Sequence, residues 1–148
     1  MERRLKLSTI SLLTEGVKDA LNVGTFSQAF TAIRTYCPHF KLAEYKTLRV
    51  TVLPVNMLIE EVSRAAVIDK VTINVAVQKQ VDPDDNAAMD PLVEVVEEIS
   101  NYFRVNPDQT PSGFRYNGVE VGPIAAPEML ERNRVFTSII NFSFWKQR

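Results

Sequence analysis

Lys70-Val71-Thr72-Ile73-Asn74-Val75-Ala76-Val77-Gln78-Lys79 decides the fold class. Val71, Ile73, Val75 and Val77 take every second position, with Thr72, Asn74 and Gln78 between them. Successive side chains leave a strand on opposite sides, so this spacing predicts a strand with one buried side. Its other side is wet or meets another subunit. Thirteen residues after Lys79 the period changes. Leu92, Val95, Val96, Ile99 and Phe103 recur at i, i+3, i+4, i+7 and i+11, the stripe of an amphipathic helix. Asp90 is expected as its N-cap and Pro91 as its first residue, where a missing N–H costs nothing. Glu94, Glu97, Glu98 and Asn101 fill the outer face, and Asn106-Pro107 stops the helix.

Toward the N-terminus, residues 46–53 alternate with Leu48, Val50 and Val52 on one side, and Pro54 is expected to close the strand. Residues 56–66, with Met57, Leu58 and Glu60-Glu61 before Arg64, read as a short helix or an ordered arm. Residues 25–36, rich in Phe, Thr and Ile, predict a strand ended by Cys37-Pro38. Residues 8–22 predict a helix, with Ile10, Leu13, Val17, Ala20 and Leu21 on one face, Ser8 or Thr9 as cap and Asn22-Val23-Gly24 as stop.

Toward the C-terminus, residues 107–127 carry Pro111, Gly113, Gly118, Gly122, Pro123 and Pro127. Within them residues 114–121 predict a small hairpin, because Asn117-Gly118 suits a type I′ turn. Residues 134–145 alternate again. Phe136, Ser138, Ile140, Phe142 and Phe144 share one face, and Val135, Thr137, Ile139 and Trp145 the other. Apolar groups on both faces place this strand centrally or against a partner. The expected fold is α+β: a mixed, mostly antiparallel sheet of four to six strands, with two amphipathic helices packed on one face. Residues 1–148 are expected to form one domain with a Pro/Gly-rich insertion at about 107–127. Without βαβ alternation or a Gly-rich fingerprint, a doubly wound nucleotide-binding sheet is not expected.

Composition narrows the function classes. Hydrophobic residues at 45% and charged residues at 24% are ordinary globular usage. A net charge of −1 removes the broad attraction of a protein that grips nucleic acid. A single cysteine, Cys37, allows no internal disulfide and suits a reducing compartment. The opening residues show no signal-peptide pattern, and no apolar run approaches the roughly 20 residues of a spanning helix, so no membrane is expected. The charge is nevertheless uneven. Residues 80–108 set Asp82, Asp84, Asp85, Asp90, Glu94, Glu97, Glu98 and Asp108 against Arg104 alone, net −7, while 1–79 carry +4 and 109–148 carry +2. Such a run ordinarily marks a solvated face; the alternative is a surface shaped for repulsion or for a basic partner.

Catalytic and metal chemistry find little support. His39 is the only histidine, and Pro38 separates it from Cys37 in a conceivable thiol–imidazole pair that lacks a third, orienting group. No further Cys or His exists to complete a zinc site. Residues 82–86 resemble the first half of a calcium loop, but Ala87 stands where glycine is wanted and Val93 where glutamate is wanted. Glu97 and Glu98 are adjacent and splay apart on a helix, so they form no acid–base dyad. The chain reads as a non-enzyme without cofactor. Phe136, Phe142 and Phe144 read as core, whereas Phe114 and Tyr116, amid polar turns, are candidates for partner contacts as well as for packing on the domain.

The order of patterns resembles the tail terminator (tail completion) proteins of long-tailed bacteriophages. An opening helix leads into Phe26-Ser27-Gln28-Ala29-Phe30 and Arg34-Thr35-Tyr36-Cys37-Pro38. Leu48-Arg49-Val50-Thr51-Val52-Leu53-Pro54 precedes a charged stretch ending in Glu61-Val62-Ser63-Arg64. The strand at 71–79, the acidic helix and Arg134-Val135-Phe136-Thr137-Ser138-Ile139-Ile140-Asn141-Phe142 complete the likeness. The resemblance implies a structural virion protein, made in the host cytoplasm, that forms a ring of its own copies, a hexamer, at the head-proximal end of the tail. Its partners would be the tail tube protein and a head-completion or connector protein, with genomic DNA passing without tight binding. Asp82, Asp84, Asp85, Glu94, Glu97 and Glu98 are the candidate lumen or rim acids; Phe114, Tyr116, Val119 and Trp145 are the candidate contacts. The alternatives are an adaptor or stopper of the neck, a tail-tube protein with longer hairpins, a small-molecule-binding α+β module, and a Cys37-dependent hydrolase.

Overall fold

Ser8 caps the first helix by accepting a hydrogen bond from the Ser11 N–H at 3.1 Å. Residues 8–37 and 42–148 are described by a computed structural model. From that cap α1 (Thr9–Val23) leads to β1 (Ala32–Arg34), a 3-10 helix (Leu42–Lys46), β2 (Arg49–Ser63) and β3 (Ala66–Gln80). Then follow α2 (Asn86–Val105), a 3-10 turn (Pro107–Gln109), β4 (Arg115–Val121), α3 (Pro127–Asn133) and β5 (Val135–Gln147). The strands form one sheet in the order β1-β2-β3-β5-β4, with β1 parallel to β2 and every other neighbour antiparallel. This is the α+β fold with a mixed, mostly antiparallel sheet that the periodicities predict.

The sheet register explains the core. Val71 faces Phe144, Ile73 faces Phe142 and Val75 faces Ile140, so the apolar alternations of β3 and β5 fall on the same side. Val50 and Val52 of β2 join them, and the stripes Leu13, Val17, Leu21 of α1 and Leu92, Val96, Ile99, Phe103 of α2 close over that side. Phe103 meets Phe142 and Phe144 edge-on at 5.2 and 5.4 Å, contacts that add about 0.5–1.5 kcal/mol each beyond area burial. The other side of the sheet is polar at its centre. Asn74 Nδ2 donates to Asn141 Oδ1 at 3.3 Å between half-buried Thr72 and Ser143.

Several local expectations are corrected. Of the strand expected over 25–36 only Ala32–Arg34 forms. Asn22 occupies both backbone groups of Ala32, and Phe26 turns away to stack on Phe30 and Tyr102 at 5.1 and 5.4 Å. Pro54 does not end β2. No strand pairs the outer side of β2 beyond Val52 among the described residues, and on such an edge the missing N–H goes unnoticed. Residues 56–63 are therefore strand, not helix, and with β3 they make a long hairpin, an ordered arm. The second helix starts one turn earlier than expected. Asp85, not Asp90, is its N-cap, accepting from the Ala87 N–H at 3.0 Å, and Pro91 lies inside the helix. Half-buried Met89 packs on the core and rewards the extra turn. Asn117-Gly118 makes no hairpin turn but a bulge within β4, with Gly118 at φ +149°. The short helix α3 in the Pro/Gly-rich region carries no periodic signal long enough to read.

Candidate assembly interface

The acids divide into two groups with different work. Asp82 Oδ1 accepts from the Asp84 N–H at 3.0 Å and Asp85 caps α2, so this loop spends two of its three carboxylates on turning the chain. Asp82, Asp84 and Asp85 remain exposed. Glu94 and Glu97 are exposed on the outer face of α2, whereas Glu98 is half-buried and accepts from both the N–H and the hydroxyl of Ser27 at 2.9 and 3.1 Å. Glu94, Glu97 and Glu98 come together in an open groove of about 470 Å³ with Phe26, Tyr102 and Arg104. The two groups lie at different stretches of the β3–α2 segment and converge on no common point with other ligands. Among the described residues no cluster of three or more His, Cys, Asp or Glu is disposed to hold a metal ion.

Cys37 is exposed, and its backbone N–H and C=O both bond the Thr35 hydroxyl at 3.2 Å. His39 lies outside the described residues.

The four candidate contact residues sit around β4. Tyr116 packs inward, its ring 6.2–6.4 Å from those of Phe103, Phe142 and Phe144. Burial pushes its phenol above the ordinary tyrosine value, partly opposed by Arg104. Burial does the same to Tyr102, aided by the charge of Asp108. Phe114 is half-buried beneath Lys146, whose Nζ lies 5.6 Å from the ring centre. Trp145 lies on the polar side of the sheet with the Arg115 guanidinium 5.3 Å above it. Val119 is 38% exposed at the sheet edge. Phe114, Tyr116 and Trp145 are thus half-buried with contacts inside the domain, and of the four Val119 alone is exposed.

The surface that sequence reading did not single out is the β2–β3 arm. Leu58, Ile59 and Val62 are 53%, 56% and 60% exposed, and Val55 is exposed beside them. Their strand has a free outer edge among the described residues, and β4 has another at the opposite end of the sheet. The signal lay in the residues themselves: β-branched and long apolar side chains at 55, 57, 58, 59 and 62. The root of the arm is fastened. Asp69, 2% exposed, meets Arg148 Nε at 2.7 Å and its NH2 at 3.0 Å, and Val67 exchanges two backbone hydrogen bonds with Arg148. No described helix is long and apolar enough to cross a membrane. No family model matches the chain, and no curated protein matches it.

Proposed function

We propose that this chain is a structural subunit of a phage tail, forming a ring at the head-proximal end that stops tube growth and joins tail to head. The observation that carries the reading beyond the sequence resemblance is the sheet with two edges unpaired among the described residues and an apolar arm. Long unpaired edges with exposed apolar residues are a liability in a lone monomer and an asset in a subunit flanked by copies of itself. Two different edges per chain suit head-to-tail contacts, which close into rings when the rotation allows. The ring is a hexamer of the 16.8 kDa chain, and its neighbours are a tube protein on one side and a connector or head-completion protein on the other.

One observation favours a second reading. The β2–β3 arm, with fifteen residues in each strand, is the long hairpin that stacking tube subunits use, so a tube protein is the rival. Electron microscopy of assembled tails bearing a labelled copy separates the two. One ring of label at the head–tail junction supports the terminator; label repeated along the tube supports the tube protein; one or two copies per particle would sink both.

A further inference from the structure

We propose that the outer edge of β2 beyond Val52, where β1 no longer covers it, pairs antiparallel with the outer edge of β4 in a second copy of this chain, so that two sheets continue as one. The inference rests on the ring reading and names the contact that would close it. Direction is the first support. Each step from β2 to β3, β5 and β4 is antiparallel, so β4 runs opposite to β2. A copy rotated about an axis along the strands therefore brings β4 to β2 in the pairing that the rest of the sheet already uses.

The two edges also match in their irregularities. Pro54, Ile73, Phe142 and Val119 share one row across the sheet, and Leu58, Lys70, Trp145 and Arg115 share another. Between these rows β2 inserts Val55 and β4 inserts Asn117, on either side of the row that holds Asn56, Thr72, Ser143 and Gly118. Each edge thus places five residues over the same four rows. A bulged edge loses register against a regular strand, but these two kink on adjacent sides of one row and keep equal counts.

Side-chain chemistry agrees on both faces. In this register Met57 meets the neighbour's Tyr116 and Pro54 meets its Val119, apolar against apolar. A cleft of about 350 Å³, lined by Tyr36, Pro54, Val55 and Met57 with the start of α1, opens beside this edge and leaves room for the exposed Val119 side chain. On the polar side Leu58 comes opposite Arg115, which places Glu60 diagonal to that guanidinium. Among the described residues Arg115 has no ion pair, and Glu60 pairs only with half-buried Lys70, at 3.2 Å. Diagonal neighbours in a sheet lie within reach of long side chains. Proline, bulges and charges are also the devices by which edge strands refuse indiscriminate partners, so this edge selects for a strand kinked as β4 is.

Disulfide trapping tests the register. Opposite residues of an antiparallel pair have Cα atoms about 4.5–5.5 Å apart, within disulfide range. In a Cys37→Ser background, the Leu58→Cys/Arg115→Cys double variant, oxidised at high concentration, is expected to give a ladder of dimers, trimers and larger species. Each single-cysteine variant is expected to stay monomeric. Absence of the ladder overturns the proposal, as does a dimer from Leu58→Cys alone, which would mean two-fold arm-to-arm pairing. Charge exchange gives a second measurement by sedimentation. Glu60→Arg or Arg115→Glu alone should weaken association about two- to fivefold, and the pair should restore it; no restoration counts against the contact. Closed rings seen by microscopy without a ladder would remove this contact and leave the ring reading standing. A ladder that forms open chains and never caps a tail would do the reverse.

Discussion

Asp69 shows how much one contact can decide in this chain. Its carboxylate is almost wholly removed from water, and the described structure gives it Arg148 as partner. Removing one member of such a pair strands the other, which costs more than the pair itself contributes. Arg148→Ala should therefore lower stability by about 1–3 kcal/mol, the half-exposed arginine keeping the figure below that of a fully buried pair. Asp69→Asn/Arg148→Ala should recover part of the loss in a thermal melt. Phe103 is the larger case. It sits at 0% exposure between Phe142 and Phe144, so Phe103→Ala should cost about 3–5 kcal/mol, while exposed Glu97→Ala should stay within about 0.5 kcal/mol. Equal melting shifts for the two would mean that α2 is turned the other way.

At the scale of elements, α2 links the core to alkaline pH. Tyr102 on α2 and Tyr116 on β4 both hold their protons more tightly than a free tyrosine because burial disfavours the phenolate. Below the ordinary tyrosine value both folded and unfolded chains are protonated, and the stabilisation is complete. As pH climbs past about 10 the unfolded chain loses these protons first, so stability falls until the folded pKa is passed. Melting temperature should drop as pH rises above about 10, and Tyr102→Phe/Tyr116→Phe should make that drop shallower. An unchanged slope in the double variant would mean that other groups govern alkaline unfolding. α1 is joined to β1 by charge: Glu15 bridges Lys18 and Arg34, the latter at 2.9 Å. The bonds to Glu15 and Asp19 raise the Lys18 pKa above its ordinary value.

For the whole molecule the question is what it would offer to DNA in a ring. The helix side presents Glu94 and Glu97, and the polar side of the sheet presents neutral amides and hydroxyls. On that second side Lys70 is paired with Glu60, and Arg115 lies over Trp145. Whichever side turns to the lumen, no dense row of cations among the described residues meets the phosphates, so counterion release from them supplies little affinity. Filter binding of duplex DNA at low salt, where electrostatic attraction is least screened, should show nothing at micromolar protein. Micromolar or tighter binding would favour a DNA-gripping neck protein over a conduit.

Periodicity by itself determined β3, β5, the apolar stripes of α1 and α2 and the α+β class, because burying one face demands residues of one kind at fixed spacing. It also placed Leu92, Val96, Ile99 and Phe103 in the core and the final strand inside the sheet. Only the tertiary structure decided what happens where local signals are ambiguous. Pro54 stops a central strand but passes on an edge, and no sequence window of β2 says which it will be. Asn117-Gly118 makes a turn when two strands leave it and a bulge when β5 pairs on past it. Phe26 and Glu98 lie seventy-two positions apart, and it is their meeting with Ser27 and Tyr102 that holds residues 25–31 out of the sheet. The candidate assembly surface was hidden for the same reason: an open edge is a property of which strands are neighbours, and neighbours are chosen by the whole chain.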